Sequence, residues 1–421
     1  MVISQPAILT YFASLLIIFF SCVVFFRNTT LWQSGRWRRH LLWSVLANTV
    51  LFGSIAVYFY SQYGFITDDL FYFTECLNYH GNIFTCKTAD ELMCAIAHPL
   101  RAYFHLDLPA CHVLFGTFGF LGSLIFVQVL MARMDFRQVS LRRRNIIAFW
   151  TLVCFPNFVA WGRFFGKDST MFFLTAVMVY NAYRVVSGRK FKPVNIILIA
   201  STFAVMFRIR PHLFAVMMTG FSLALLVKAY TARMPDVGVR GMYQVVMPLV
   251  FLAVSLFIGA GVIRSVSRQN EVSVQAVQSS FVTASKMGAY GGSSTGLAEK
   301  MSDDPTVIFK PTQVALNVIF LLFAPFPWQI RGGADIMALA SNLIFFFLLY
   351  LFRRTITGKD LFQKYLLINI ALLVVILSFM SGNVGLILRE KTILLPFVFL
   401  FIFYNPKNKL APAPRSSAKA G

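Results

Sequence analysis

The sequence predicts an all-α, polytopic membrane protein with about 11 transmembrane helices, one re-entrant segment and two long extracytoplasmic loops. Three observations predict it. With 58% of its 421 residues hydrophobic and 13% charged, the chain is too apolar for a soluble domain. Apolar runs recur from residue 7 to residue 404, as needed to cross about 30 Å of hydrocarbon repeatedly at roughly 1.5 Å per helical residue. Its 38 basic residues outnumber 16 acidic ones, a formal charge of +22, and they fall into alternate connections between those runs.

The runs are 6–26, 41–60, 112–131, 146–162, 170–183, 193–207, 213–227, 242–263, 334–352, 365–380 and 392–404. A further apolar stretch, 314–328, is broken by Pro325 and Pro327. It reads as re-entrant, a form tolerated where the freed backbone groups face protein or water. Counting it as a full crossing would also break the charge alternation downstream. The connections 27–40, 132–145, 184–192, 228–240 and 353–364, with the tail 405–421, hold 24 basic and three acidic residues; the opposite side holds 14 and 13. The first set is therefore cytoplasmic, with the N-terminus outside and the C-terminus inside. The net +22 resolves into +21 inside and +1 outside, an orientation signal that needs no nucleic-acid partner. Residues 1–404 form a single polytopic domain in this reading, and 405–421, rich in Pro, Ala, Ser and Lys, a disordered cytoplasmic tail. No basic region precedes the first run and no small-residue cleavage site closes it, so it is expected to remain as a span.

The two long outer loops are 61–111 and 264–312. The first carries Cys76, Cys86, Cys94 and Cys111, a set suited to one or two disulfides in an oxidising compartment. Zinc is the rival reading, because His80, His98, His105 and His112 share the region, but no CxxC pair accompanies them. The second loop contains AYGGSSTG at 289–296, a flexible lid or a linker. Cytoplasmic connections are short and basic, without a Gly-rich phosphate motif or paired carboxylates, which argues against a nucleotide-sugar donor.

Ionisable residues instead collect at the outer ends of the runs, where membrane proteins hold functional charge. Asp68 and Asp69 follow the second run; adjacent carboxylates there suit a general base or a divalent-cation ligand, and otherwise a solvated helix cap. In the turn W161-G-R-F-F-G-K-D-S169, Arg163, Lys167 and Asp168 sit close in sequence, with Asp168 and Ser169 at the start of the next helix. Snorkelling at the interface is the bland account of Arg163 and Lys167. Arg208, Arg210 and His212 lie in F-R-I-R-P-H, and two arginines beside Pro211 suit bidentate phosphate binding. Finally, P325-F-P-W-Q-I-R331 and S381-G-N-V-G-L-I-L-R389-E-K391 bring Trp328, Arg331, Arg389 and Lys391 to the outer surface, which aromatic anchoring and snorkelling also explain.

GKDS after a Pro-containing span, the R-x-R-P-H turn, the PFPW segment and the late G-N-x-G-x-x-x-R before a Pro-bearing last span resemble the polymerase-like multi-pass proteins of bacterial O-antigen and exopolysaccharide synthesis. Those are related in architecture to the integral-membrane GT-C glycosyltransferases, and the resemblance covers residues 60–404. It implies a GT-C-like fold in the bacterial inner membrane. It also implies transfer of a sugar or oligosaccharide from a polyprenyl (pyro)phosphate to an acceptor hydroxyl on the extracytoplasmic face. On that resemblance Asp68 and Asp69 match the early outer Asp pair of GT-C enzymes, and Arg208 and Arg210 match the arginines that hold the pyrophosphate of the polymerases. The outside N-terminus and the cysteine-rich first loop differ from the GT-C pattern.

The resulting expectation is a glycosyltransferase or polymerase. Asp68, Asp69 or Asp168 would serve as base, and Arg163, Lys167, Arg208, Arg210, His212, Arg331 and Arg389 would bind the pyrophosphate. No cofactor is required, although Asp68 and Asp69 suit a divalent cation. The expected partners are the polyprenyl-linked glycan, membrane lipid and polysaccharide assembly proteins. A lipid-linked oligosaccharide flippase is the second reading, and it expects ionisable residues deep within spans. A non-catalytic envelope assembly subunit is the third, and it expects the outer acids and arginines to be dispensable.

Overall fold

A computed structural model describes residues 35–48, 89–106, 108–132, 139–163, 165–187, 193–231, 310–330, 333–353, 360–378 and 384–403, with isolated positions that include Cys76, Gly81 and Cys86. All regular structure among them is helical. In chain order the helices are α1 (Gly35–Leu46), α2 (Ala89–Ala102), α3 (Leu108–Met131), α4 (Val139–Cys154), α5 (Pro156–Ala160), α6 (Lys167–Val186), α7 (Pro193–Ile209), α8 (Pro211–Thr231), α9 (Pro311–Phe323), α10 (Gly333–Phe352), α11 (Leu361–Ser378) and α12 (Val384–Phe403), with a 3-10 turn at Pro327–Gln329. Apart from isolated helical positions, the expected spans 6–26 and 242–263 lie outside the described residues, as do 49–60 of the second expected span, 264–309 of the second long loop and the tail 405–421.

Proline sets several of these starts. Helices α5, α7, α8 and α9 open on Pro156, Pro193, Pro211 and Pro311, where a missing N–H removes nothing the helix would use. Phe155, ahead of Pro156, is extended, as a residue before proline prefers, so the expected span 146–162 is two helices with a break. The stretch 314–328 is α9 followed by a non-helical break at Ala324 and the 3-10 turn, a short helix with an interrupted end. A larger departure occurs at the C-terminal end. The expected last span, 392–404, is only the second half of α12, which begins at Val384, so Arg389, Glu390 and Lys391 lie inside a helix.

Among the described residues three helices, Ala110–Met131, Asp335–Phe352 and Leu361–Ser378, are long and apolar enough to cross a membrane; Val194–Ile209, Pro211–Val227 and Pro311–Phe323 are shorter apolar helices. On α10 the exposed residues Leu343, Phe347 and Leu351 recur every fourth position, an apolar stripe suited to lipid.

Helix α6 is central: it packs on α3, α7 and α8 and touches α11 and α12. Close approach to α3 depends on Gly116, Gly119 and Gly122, which share one face at every third residue. A Cβ on Gly119 would stand 1.6 Å from the Gly162 carbonyl oxygen, and one on Gly116 2.8 Å from that of Arg163. The turn before α6 is thus pressed onto α3. On the other side α8 meets α11, with Gly220 lying against the Asn369 amide.

Candidate functional site

The turn 161–166 is held from several sides. The Phe165 N–H donates to His112 Nδ1 at 3.0 Å. Gly166 has a φ of 151°, a value that L side chains seldom adopt. The Ser169 and Thr170 hydroxyls donate back to the Gly166 carbonyl at 3.1 and 3.2 Å, closing the first turn of α6. Asp168 lies in that first turn, where a carboxylate is favoured by the helix dipole.

Asp168 is the hub of a buried ionic network. Its Oδ1 accepts from Arg210 Nη2 at 2.5 Å, and its Oδ2 pairs with Arg389 Nε. Arg210 Nη1 donates to Glu390 Oε1 at 2.5 Å. Arg210 comes from the junction of α7 and α8, where its N–H donates to the Met206 carbonyl, while Arg389 and Glu390 come from α12. Side-chain exposures of 13% for Asp168, 9% for Arg210, 4% for Glu390 and 18% for Arg389 place all four out of bulk water. Two carboxylates and two guanidiniums balance formally, which is what permits burial at this cost. Glu390 Oε2 is buried with no hydrogen-bond partner among the described residues, and so is Nε2 of the neighbouring His212.

Lys391, next along α12, forms a second polar node. Its ammonium donates to the Leu322 and Ala324 carbonyls, both at 3.1 Å, and to Asn342 Oδ1 at 2.9 Å. The Asn342 amide donates to the Phe323 and Ala324 carbonyls at 2.9 and 3.0 Å. Together they satisfy the carbonyls left open where α9 ends. Asn157 of α5 ties in the third neighbour, donating to the Leu388 carbonyl at 3.1 Å. Between these helices lies a cavity of about 190 Å³ lined mostly by apolar side chains.

Of the expected site residues, Asp168, Arg210 and Arg389 are brought together, with His212 beside them. The others have different surroundings. Arg163 faces inward rather than outward: it is 5% exposed, donates to Asn48 Oδ1 and the Val153 carbonyl, and lies 5.3 Å over the Phe120 ring. Its guanidinium is engaged within the turn and lies apart from the Asp168–Arg210–Arg389 cluster. Lys167 pairs with Asp90 of α2 at 2.6 Å. Arg208 does not share a ligand site with Arg210, because it donates to the Cys86 carbonyl on another face. Residues i and i+2 at a helical end do not face the same way. Lys391 is buried at 3% exposure, not at the outer surface. Cys76 and Cys94 form a disulfide, whereas Cys86 and Cys111 are buried thiols, so the four cysteines supply one bridge. His98 Nδ1 is 3.2 Å from the Cys76 carbonyl oxygen. Trp328 is 78% exposed and stacks on Phe326 at 4.8 Å. Asp68, Asp69 and Arg331 lie outside the described residues.

Glu390, Asn342, Asn157 and Asp90 were not singled out by the sequence. The available signal was Glu390-Lys391 directly ahead of an apolar run, since ionisable residues that enter a span are functional candidates by default. No family model, curated protein or solved structure matches the chain.

The Lys167–Asp90 pair is a check on which charges matter. Asp90 is 55% exposed, so Lys167→Ala should change unfolding stability by less than about 1 kcal/mol in detergent, far less than any change in the buried network.

Proposed function

We propose that the protein is an integral-membrane transferase of the extracytoplasmic face of the bacterial inner membrane, moving a sugar or oligosaccharide from a polyprenyl (pyro)phosphate to an acceptor hydroxyl. The observation that carries this reading is the meeting of Asp168, Arg210, Arg389 and Glu390, from three segments distant in sequence, in one buried network. Arginine pairs aimed by carboxylates are suited to phosphate oxygens, because the planar guanidinium presents parallel donors and keeps its charge. In this reading Arg210 and Arg389 neutralise the departing phosphate. Asp168 holds both guanidiniums in place, and the second oxygen of Glu390 takes the proton of the attacking hydroxyl.

The test is a deletion strain whose surface glycans and lipid-linked intermediates are profiled, then complemented with wild type, Arg389→Lys or Glu390→Gln. A polymerase gives loss of long chains with single repeat units accumulating on the outer leaflet, and both variants fail to restore them. Normal glycan in the deletion strain, or full restoration by both variants, rejects the reading.

A flippase is the second reading, and one observation favours it: Glu390 and Lys391 are buried inside α12 rather than at its end. The same experiment separates the two, since a flippase defect leaves lipid-linked units on the cytoplasmic leaflet.

A further inference from the structure

The cavity beside Lys391 is lined by Phe155 and Asn157, by Leu322 of α9, by Ser341, Asn342, Phe345 and Leu349 of α10, by Ile370 and Val374 of α11, and by Lys391 to Val398 on one side of α12. The seven helical rises from Lys391 to Val398 make it about 10 Å long. Its polar side chains are gathered at one end, and each has a hydrogen-bond partner in the protein. The Lys391 ammonium has three acceptors, Asn342 uses both its amide nitrogen and its oxygen, Asn157 donates to Leu388, and the Ser341 hydroxyl donates to the Met337 carbonyl at 2.8 Å. A trapped water needs two to four polar partners, and apolar cavities of roughly this size stay dry and take up apolar guests.

The void is also built not to collapse. Lys391 of α12 and Asn342 of α10 are both fastened to the end of α9, which fixes the spacing of the walls. Contacts between α10 and α11 are sparse; α11 exposes Leu367 and Val375, near the cavity-lining Ile370 and Val374, and α10 exposes Leu343 and Phe347 on the face away from the cavity. The phase bordering that cleft is hydrocarbon.

We infer that this cavity is a binding site for one hydrocarbon chain of a membrane amphiphile, which enters between α10 and α11 and lies along α12. The inference does not rest on the transferase reading, because it uses only the shape, dryness and lipid-facing cleft of the cavity. The chain has two natural sources, the acyl chain of a bilayer phospholipid and the isoprenoid of a polyprenyl phosphate.

Photo-leucine incorporated into the full-length protein in its native membrane tests it within a single molecule. Leu349, Leu394 and Leu395 line the cavity, whereas Leu343 and Leu351 are exposed on α10 and report the surrounding bilayer. After irradiation, peptides with Leu349, Leu394 or Leu395 should carry a lipid adduct. The adduct mass separates phospholipid from polyprenyl phosphate, and either supports the site. Val374→Trp and, independently, Val398→Phe fill the void; either should abolish the adduct at those three leucines and leave those at Leu343 and Leu351 unchanged. Water-quenched or purely intramolecular products at the three leucines would overturn the inference, and so would lipid adducts there that persist in both filled variants.

Discussion

Arg210→Ala is expected to destabilise the protein by about 3–5 kcal/mol and to abolish activity, because it strips the shared cation from two buried carboxylates at once. The loss is larger than a missing hydrogen bond would give, which is typically about 1 kcal/mol. Asp168 keeps Arg389, but Glu390, 3% exposed, loses the only ion-pair partner its carboxylate has among the described residues. A compensated variant isolates that effect. Arg210→Met with Glu390→Gln removes one charge of each sign and leaves Asp168 paired with Arg389, so unfolding in detergent should return most of the way to wild type. Activity should stay absent in the compensated protein, since one of the two arginines proposed to face phosphate and the proposed base, Glu390, are both missing. If Arg210→Ala unfolds like wild type, the network is not buried as described. If the compensated variant regains activity, Arg210 is a structural cation only.

How far this arrangement was legible in the sequence differs from residue to residue. Helix starts at Pro156, Pro193, Pro211 and Pro311 were readable because proline acts locally, through its own φ and missing N–H. Asp168, Arg210 and Arg389 were readable as candidates because each stands where an apolar run meets a polar turn. Their mutual contacts were not. Asp168 and Arg210 are 42 positions apart and Arg210 and Glu390 180, and no local periodicity encodes such partners. That gap also explains why α12 was read as starting eight residues late. Ser381-Gly382-Asn383 and the nearby Arg-Glu-Lys read as a solvated loop until Asp168 of α6 and Arg210 at the α7–α8 junction pair with Arg389 and Glu390, and the α9 carbonyls and Asn342 of α10 accept from Lys391. Arg163 departs from expectation for the same reason: an arginine at a membrane boundary snorkels by default, and here Asn48, 115 positions away, the Val153 carbonyl and the Phe120 ring hold it inward.

Gly119→Ala is the substitution expected to do most damage for its size, because the added methyl would overlap a backbone oxygen that cannot rotate away. Alanine in mid-helix would ordinarily gain about 1 kcal/mol over glycine. Here the new Cβ stands 1.6 Å from the Gly162 carbonyl oxygen, so α3 and the 161–166 turn must separate by well over an ångström. Overpacking usually costs about 1–3 kcal/mol where side chains can move, and a clash with backbone on both sides should reach at least the top of that range. The three glycines of this face form a graded series that tests the contact itself: Gly119→Ala worst, Gly116→Ala at 2.8 Å intermediate, and Gly122→Ala, whose nearest atom is the Phe172 ring at 3.0 Å, mildest. Thermal unfolding in detergent should rank them in that order, and equal losses at all three would mean that α3 does not press on this turn. The damage should also reach the ionic network, because the displaced turn carries Gly166 and, two residues later, Asp168. In Gly119→Ala, any folded protein that survives should therefore show lower activity than its stability alone accounts for, whereas Gly122→Ala, farther from the turn, should lose activity only in proportion to folded protein.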